Sequence, residues 1–351
     1  MKYKARLVAG GHRQLKDPAV SLHSPTMSAS STLTIAAIAA SENRVVTVAD
    51  VGGAYLNALM TEEVLMTLSQ FLSSRLVKLR PEYKKFLSEN GTLTVKLLKA
   101  LYGCVQSAKL WFETIRDILL SLGFIQNCAD SCVFNCIEKD GSQTTIGVYV
   151  DDLLITSRKR EYIESILASL RNAFSGEVTA HFGTIHNYLG MCLDFSRKGK
   201  VSINMKGYIS KILRNNNITS SAKTPTSGKI NFKSDLDSPP LSPEEMKKIH
   251  SLSAQLSYIA SRARPDISFP VAYLTTKVGK YTENDKSIAF HLLKYLHGSI
   301  DRVIMISIPN TKDIKHFVDS SFYTHSDAKS HSGACLSLGN GFVCWKSSSK
   351  D

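Results

Sequence analysis

The chain has 351 residues, longer than one compact unit usually runs, so roughly two or three are expected. Apolar residues make up 43% of it, which excludes a disordered chain, and no apolar run nears the roughly 20 residues that a membrane-spanning helix needs. Forty-three Lys and Arg against 30 Asp and Glu leave a formal charge of +13, a balance that suits a polyanionic partner without requiring one.

The N-terminal stretch MKYKARLVAGGHRQ is basic but lacks the apolar core of a secretory signal, so a soluble, intracellular protein is expected. Residues 29–42 read as an Ala-rich helix, and VVTVADV (45–51) as a short β-branched strand. A second helix is expected over 105–124, ending at Gly123. Cys128, Cys132 and Cys136 recur every four residues without the CxxC pairs of zinc sites, and the seven cysteines read as reduced core thiols.

TTIGVYVDDLLIT (144–156) is two apolar runs split by two acids, the pattern of a hairpin, and 159–174 is an amphipathic helix. Between 196 and 242 Lys, Asn, Ser, Thr and Pro dominate, as in a linker or loose subdomain. Ser242-Pro243-Glu244-Glu245 is a helix start with a capping box, and helices are expected at 243–263, 268–279 and 283–297. After Gly298 the pattern turns to strands up to Asp351, and there are no internal repeats. Strands and helices interspersed in this way give an α+β class.

The chemistry concentrates in carboxylates. Asp50 closes one strand, and Asp151-Asp152 sit at the tip of a hairpin; paired strands would bring them together across a hundred residues. Rigid carboxylates at strand ends are what two-metal phosphoryl transfer needs, although an Asp-Asp turn alone is a common solvated feature.

The context of these residues is far more specific. Tyr149-Val150-Asp151-Asp152-Leu153-Leu154 resembles the YVDD box of reverse transcriptases, and Asp50-Val51-Gly52-Gly53-Ala54-Tyr55-Leu56-Asn57 resembles their first metal-binding motif. KARLVAGGHRQ (4–14), LYGCVQSAKLW (101–111), NYLGM (187–191), RARPDI (262–267), KYLHGS (294–299) and VDSSF (318–322) follow in the order of the Ty1/copia-type retrotransposon polyproteins. The resemblance covers nearly the whole chain.

It implies a right-hand polymerase: fingers and palm over 1–195, the looser 196–242, a helical thumb or connection over 243–300, and a truncated ribonuclease H-like sheet over 301–351. It implies an RNA-directed DNA polymerase adding deoxynucleotides to a primer 3′-end, with RNA and DNA primer–template and dNTPs as partners and no membrane. The setting would be a cytoplasmic virus-like particle or the nucleus. Asp50 and Asp151, with the carbonyl of Val51, would hold two Mg²⁺ (or Mn²⁺), and Asp152 would support them as a weaker ligand. Tyr55 would gate the sugar, Gln106 would contact the incoming nucleotide, and Arg6 with Lys4 would grip its triphosphate.

Tyr188, Leu189, Gly190 and Met191 would form the primer grip, with Gly190 letting nucleic acid approach the main chain. Where many relatives carry a lysine before that turn, this chain has Thr179-Ala180-His181-Phe182-Gly183, and His181 is either a substitute acid or a solvated histidine. Asp319 resembles the first metal-binding residue of ribonuclease H, but the further acids are not in this sequence, so hybrid cleavage is not expected. Asp327 reads as a solvated loop residue, and the final sheet is expected to stand uncovered in water. Two other readings use the same residues: a decayed or domesticated nucleic-acid-binding remnant, and a metal-dependent nuclease, in which Tyr55 and Gln106 would be idle.

Overall fold

Helix α1 (Ala29–Ser41) starts where the Ser28 side chain accepts a hydrogen bond from the Ser31 amide, and it buries Leu33, Ile35, Ala36, Ala37, Ala39 and Ala40. In the computed structural model, residues 6–14, 22–174, 177–228, 238–309, 313–322 and 329–350 are described. Lys4 and Asp327 lie outside them.

The chain continues through β1 (Val45–Val51), β2 (Leu65–Leu68), α2 (Gln70–Leu79), β3 (Leu93–Lys96) and α3 (Ser107–Ser121). Then come β4 (Ile125–Gln126), β5 (Val133–Ile137), β6 (Gln143–Tyr149), β7 (Asp152–Ser157), α4 (Arg160–Ala173) and β8 (Val178–Phe182). Strands β4-β5-β6-β7-β1-β8 form one antiparallel sheet in that order. Two helices cover one of its faces. Trp111, Ile115 and Leu119 of α3, and Ile163, Ile166, Leu167 and Leu170 of α4, are buried at helical spacing against Ala49, Val51, Leu153 and Ile155. Alternation along β1 sends Val46 and Val48 to the other face, which α1 covers, and Asp50 follows them.

A second sheet contains β9 (Ile185–Tyr188), β10 (Met191–Asp194) and β11 (Val201–Asn204), with α5 (Lys206–Asn215) following. The stretch read from composition as a linker or loose subdomain holds a strand and a helix in its first part. Val201 and Ile203 alternate inward, and Ile209, Ile212 and Leu213 form a buried stripe among polar surface residues.

Helices α6 (Pro243–Ala260), α7 (Ser268–Thr276) and α8 (Glu283–Gly298) share one continuous core with α1 and the second sheet. Motifs RARPDI and KYLHGS meet here. Buried Arg264 donates to both oxygens of Asp266 (2.9 and 2.8 Å), to the Ser299 carbonyl (3.0 Å) and to the Ser299 hydroxyl (2.6 Å), while Tyr295 donates to Asp266 (2.7 Å).

Strand β12 (Ile304–Ile306) completes the second sheet beside β11, so this part of 301–351 belongs with the residues before it. The last sheet is β13 (Lys315–Ser321), β14 (Ser330–Ser337) and β15 (Cys344–Lys350). The expectation of a wholly uncovered sheet is corrected at one edge. Trp345 packs on the shared core and donates through Nε1 to the Ala260 carbonyl (2.7 Å), while Val343 is buried in it. Only β13 stands in water along its whole length, with Phe317 55% and Val318 65% exposed. The thiol expectation also needs correcting: all seven cysteines are free, but Cys128 and Cys344 are exposed rather than in the core. Among the described residues no helix is long and apolar enough to cross a membrane.

Candidate active site

Strand register assembles the carboxylates. In the β1–β7 ladder Asp50 stands opposite Asp152, and in the β6–β7 hairpin Tyr149 stands opposite Asp152, leaving Val150 and Asp151 as the tip. Val150 has φ of 56°, a conformation that a β-branched side chain resists. Two hydrogen bonds hold it there: Trp111 Nε1 donates to the Val150 carbonyl (2.7 Å), and the Val51 amide donates to the Asp151 carbonyl (2.9 Å). The second bond ties the end of β1 directly to the hairpin tip.

Asp152 is half-buried. Burial, then the neighbouring Asp151 and Asp50, push its carboxyl up to about 6. Removing water from an acid and facing it with two others disfavours its charged form, and a cation at the same place would favour it. Among the described residues, no group of three or more His, Cys, Asp or Glu is placed so that it could hold a metal ion.

Tyr55 lies in a short 3-10 turn, Ala54–Asn57, directly after β1. Its ring is 4.6 Å from that of Tyr102, centroid to centroid, and burial, Tyr102 and Asp151 raise its hydroxyl above the usual tyrosine range. Tyr102 in turn carries the Arg6 guanidinium 5.4 Å from its ring centroid. Burial, Asp151 and Asp50 raise Tyr102 while Arg6 opposes them. Tyr55 and Tyr102 therefore lie within electrostatic reach of Asp151, and Tyr102 within reach of Asp50 and Arg6 as well. Gln106, only 6% exposed, is the residue before α3; it makes no capping hydrogen bond and instead accepts one from Gln14 Nε2 (2.8 Å).

The expected grip is the β9–β10 turn. Leu189 and Gly190 have φ of 49° and 75°, the pair of positive values that a tight two-residue hairpin demands. Tyr188 and Met191 are buried in the core, so of the four residues only Leu189 and Gly190 reach the surface. A Cβ on Gly190 would meet Met205, Tyr258 and Tyr208 at ordinary contact distance, and its positive φ by itself calls for glycine. The Tyr258 hydroxyl donates to the Leu189 carbonyl (2.8 Å), and Arg262 stacks 3.6 Å from the Tyr258 ring centroid.

His181 is exposed and hydrogen-bonded Nδ1 to Nδ1 with buried His186 (3.2 Å). Burial lowers His186, whose Nε2 meets the Gly183 carbonyl at 2.9 Å. Asp319 is far less embedded: it lies on exposed β13 opposite Gly333 and receives the Ser320 amide (2.9 Å). Tyr102 was within reach of sequence reasoning, as part of LYGCVQSAKLW. Gln14 and Trp111 end two of the quoted motifs, but their partners lie tens of residues away and are not named there, and Tyr258 lies in no quoted motif.

Residues 1–228 match the reverse transcriptase (RNA-dependent DNA polymerase) family. The chain is 28% identical over 99% of its length to the Pol polyprotein of Arabidopsis thaliana transposon RE2, covering 22% of that polyprotein. It is 25% identical over 99% of its length to that of Nicotiana tabacum transposon TNT 1-94, covering 26% of it. With the Saccharomyces cerevisiae Ty1-H Gag-Pol polyprotein, identity is 24% over 86% of this chain and 16% of the relative. The chain thus spans about a quarter or less of these relatives. Hairpin, register and sequence agree: the chain belongs to the reverse transcriptase family, in its Ty1/copia-type retrotransposon branch.

Proposed function

We propose that the chain carries a working polymerase centre, extending a primer 3′-end with deoxynucleotides on RNA or DNA templates. The observation that carries this reading is the Asp50–Asp152 register with the Asp151 carbonyl bonded to Val51, which gathers three carboxylates at adjoining strand ends.

The donor set fits a hard divalent cation such as Mg²⁺ or Mn²⁺, and such an ion would favour the charged form of the raised Asp152. Asp50 and Asp151, with the Val51 carbonyl, would hold two ions, and Asp152 would back them. Mg²⁺ commonly takes only one or two protein carboxylates and fills its shell with water and substrate phosphates, which suits a site without a ready three-donor cage. Bound ions would supply charge neutralisation and an acidified primer hydroxyl.

The chain's own groups do the positioning. The pinned tip keeps Asp151 at the end of β1. The Tyr55 ring is braced by Tyr102, so it makes a rigid floor where a ribose 2′-hydroxyl would strike, favouring deoxynucleotides. Arg6, and by resemblance Lys4, would meet the triphosphate, and Gln106 would contact the incoming nucleotide. The turn at Leu189 and Gly190 would touch the primer backbone, with Tyr188 and Met191 anchoring it from the core. In this reading the first large sheet is the palm, α6 to α8 form the thumb or connection, and β13 to β15 are a ribonuclease H-like layer. Asp319 alone would give that layer no nuclease activity.

The test is the lifetime of a chain-terminated primer–template complex. A matched dNTP with a divalent ion stabilises it by about 2.7 kcal/mol at a hundredfold excess over Kd, and a mismatched one does not. Equal lifetimes would leave only a nucleic-acid-binding remnant.

A further inference from the structure

The N-terminal segment and the start of α3 are locked together backbone to backbone. The Ala9 amide donates to the Tyr102 carbonyl (2.7 Å), and a Cβ on Gly11 would fall 1.9 Å from the Gly103 carbonyl oxygen. Only glycine permits this approach. It delivers Gln14 to Gln106, 92 residues along the chain.

The hydrogen bonds that follow have only one self-consistent direction. A backbone N–H can only donate, so the Gln14 atom facing the Val105 amide at 3.2 Å is its oxygen. The other end of that amide is NH₂, and it donates to Gln106 at 2.8 Å, so the atom it meets is the Gln106 oxygen. What remains of Gln106 is its Nε2, which is buried and has no hydrogen-bond partner among the described residues. An orphaned buried donor is costly and calls for an explanation, and an acceptor that arrives with a ligand is one.

We propose that Gln14 is a positioning residue: it occupies the Gln106 oxygen and so leaves the buried Gln106 NH₂ as the group that donates to an acceptor oxygen of the incoming nucleotide. This rests on the polymerase reading above. The side chain of a free glutamine would present oxygen as readily as nitrogen, and half of its encounters would be repulsive toward such an oxygen.

Substitution of Gln14 separates this from a packing role. In Gln14→Glu both side-chain oxygens accept, so the Gln106 NH₂ turns toward residue 14 and its oxygen faces the nucleotide. In Gln14→Ala the amide is merely unlocked. Steady-state primer extension by the full chain should show KM for dNTP raised about tenfold in Gln14→Glu and about threefold in Gln14→Ala. In both, kcat and the affinity for primer–template should stay unchanged. Equal KM in the two variants, or losses that track thermal midpoint or primer–template affinity, would overturn the proposal.

If the wild-type chain extends no primer, the polymerase reading fails by itself, and a second measurement still decides about Gln14. In protein labelled with ¹⁵N-glutamine, the Gln106 NH₂ signals, assigned by their loss in Gln106→Met, should move in Gln14→Ala. Signals that stay in place would overturn the positioning role.

Discussion

Asp50 and Asp319 were matched to their motifs in the same way, each an aspartate at or near a strand end, and the fold treats them differently. Asp50 lies in a strand with neighbours on both sides, opposite Asp152, beside a hairpin tip held by Trp111 and Val51. Asp319 lies on an edge strand exposed along its whole length, with its own neighbour's amide as the hydrogen bond it accepts. Asp50 is as open to solvent as Asp319, so what makes it a candidate site is the company of other carboxylates that strands distant in sequence bring to it. A matching motif provides the residue and nothing more.

That contrast predicts the largest effect. Asp50→Asn or Asp151→Asn should each lower primer extension by about three orders of magnitude while leaving primer–template affinity intact, because one anionic ligand carries several kcal/mol of transition-state stabilisation. Near wild-type extension by either variant would remove Asp50 from the privileged side of the comparison. Next in size is an aspartate with a structural job. Asp266 is bonded to Arg264, whose side chain is 3% exposed, and Arg264→Ala should cost about 3 kcal/mol of stability by removing the buried guanidinium that binds both Asp266 oxygens and Ser299. Thermal or denaturant melting reads this directly, and a loss below about 1 kcal/mol would mean that the pair is replaceable.

Titration sharpens the comparison further. Asp152 rises from the ordinary 3.8 to about 6, so the folded chain keeps this proton longer than the unfolded one. The metal-free protein should therefore lose stability as pH climbs from about 4 through about 6. Mg²⁺ or Mn²⁺ should cancel that loss by favouring the carboxylate, and extension should decline as pH falls through the same range. Melts across pH with and without the ion provide the check, and identical curves would dissociate Asp152 from the metal. The smallest effect belongs to Asp319→Asn, expected within about 0.5 kcal/mol of wild type in melting, with RNA–DNA hybrid left uncut before and after. Cleavage that vanished with this substitution would reverse the contrast.

Much of this was legible beforehand. The helices over 29–42, 105–124, 159–174 and 243–297 and the hairpin over 144–156 announce themselves by period and capping, and helices and strands occur there. Asp50, Asp151 and Tyr55 sit in motifs whose local geometry is set by neighbouring residues. What stayed hidden was set by distance along the chain. Nothing near Gln14 names Gln106, and nothing in Ile304–Ile306 says whether the strand joins the sheet before it or the sheet after it. Between 201 and 215 composition showed only the polar surface, because the buried stripe beneath it is sparse, though regular.

The placement of β12 also sets a timetable. Val201 pairs with Ile306, so β11 leaves the ribosome about a hundred residues before its neighbour exists. At roughly 5–20 residues per second that is a wait of about 5–20 seconds, during which β11 is an open edge able to pair with another nascent chain. The family match ends at residue 228, yet the sheet that bears Leu189 and Gly190 is finished only by residues 304–306. A chain cut at 228 would keep Asp50, Asp151 and Asp152 and leave that edge permanently open, so its expected failing is self-association in solution.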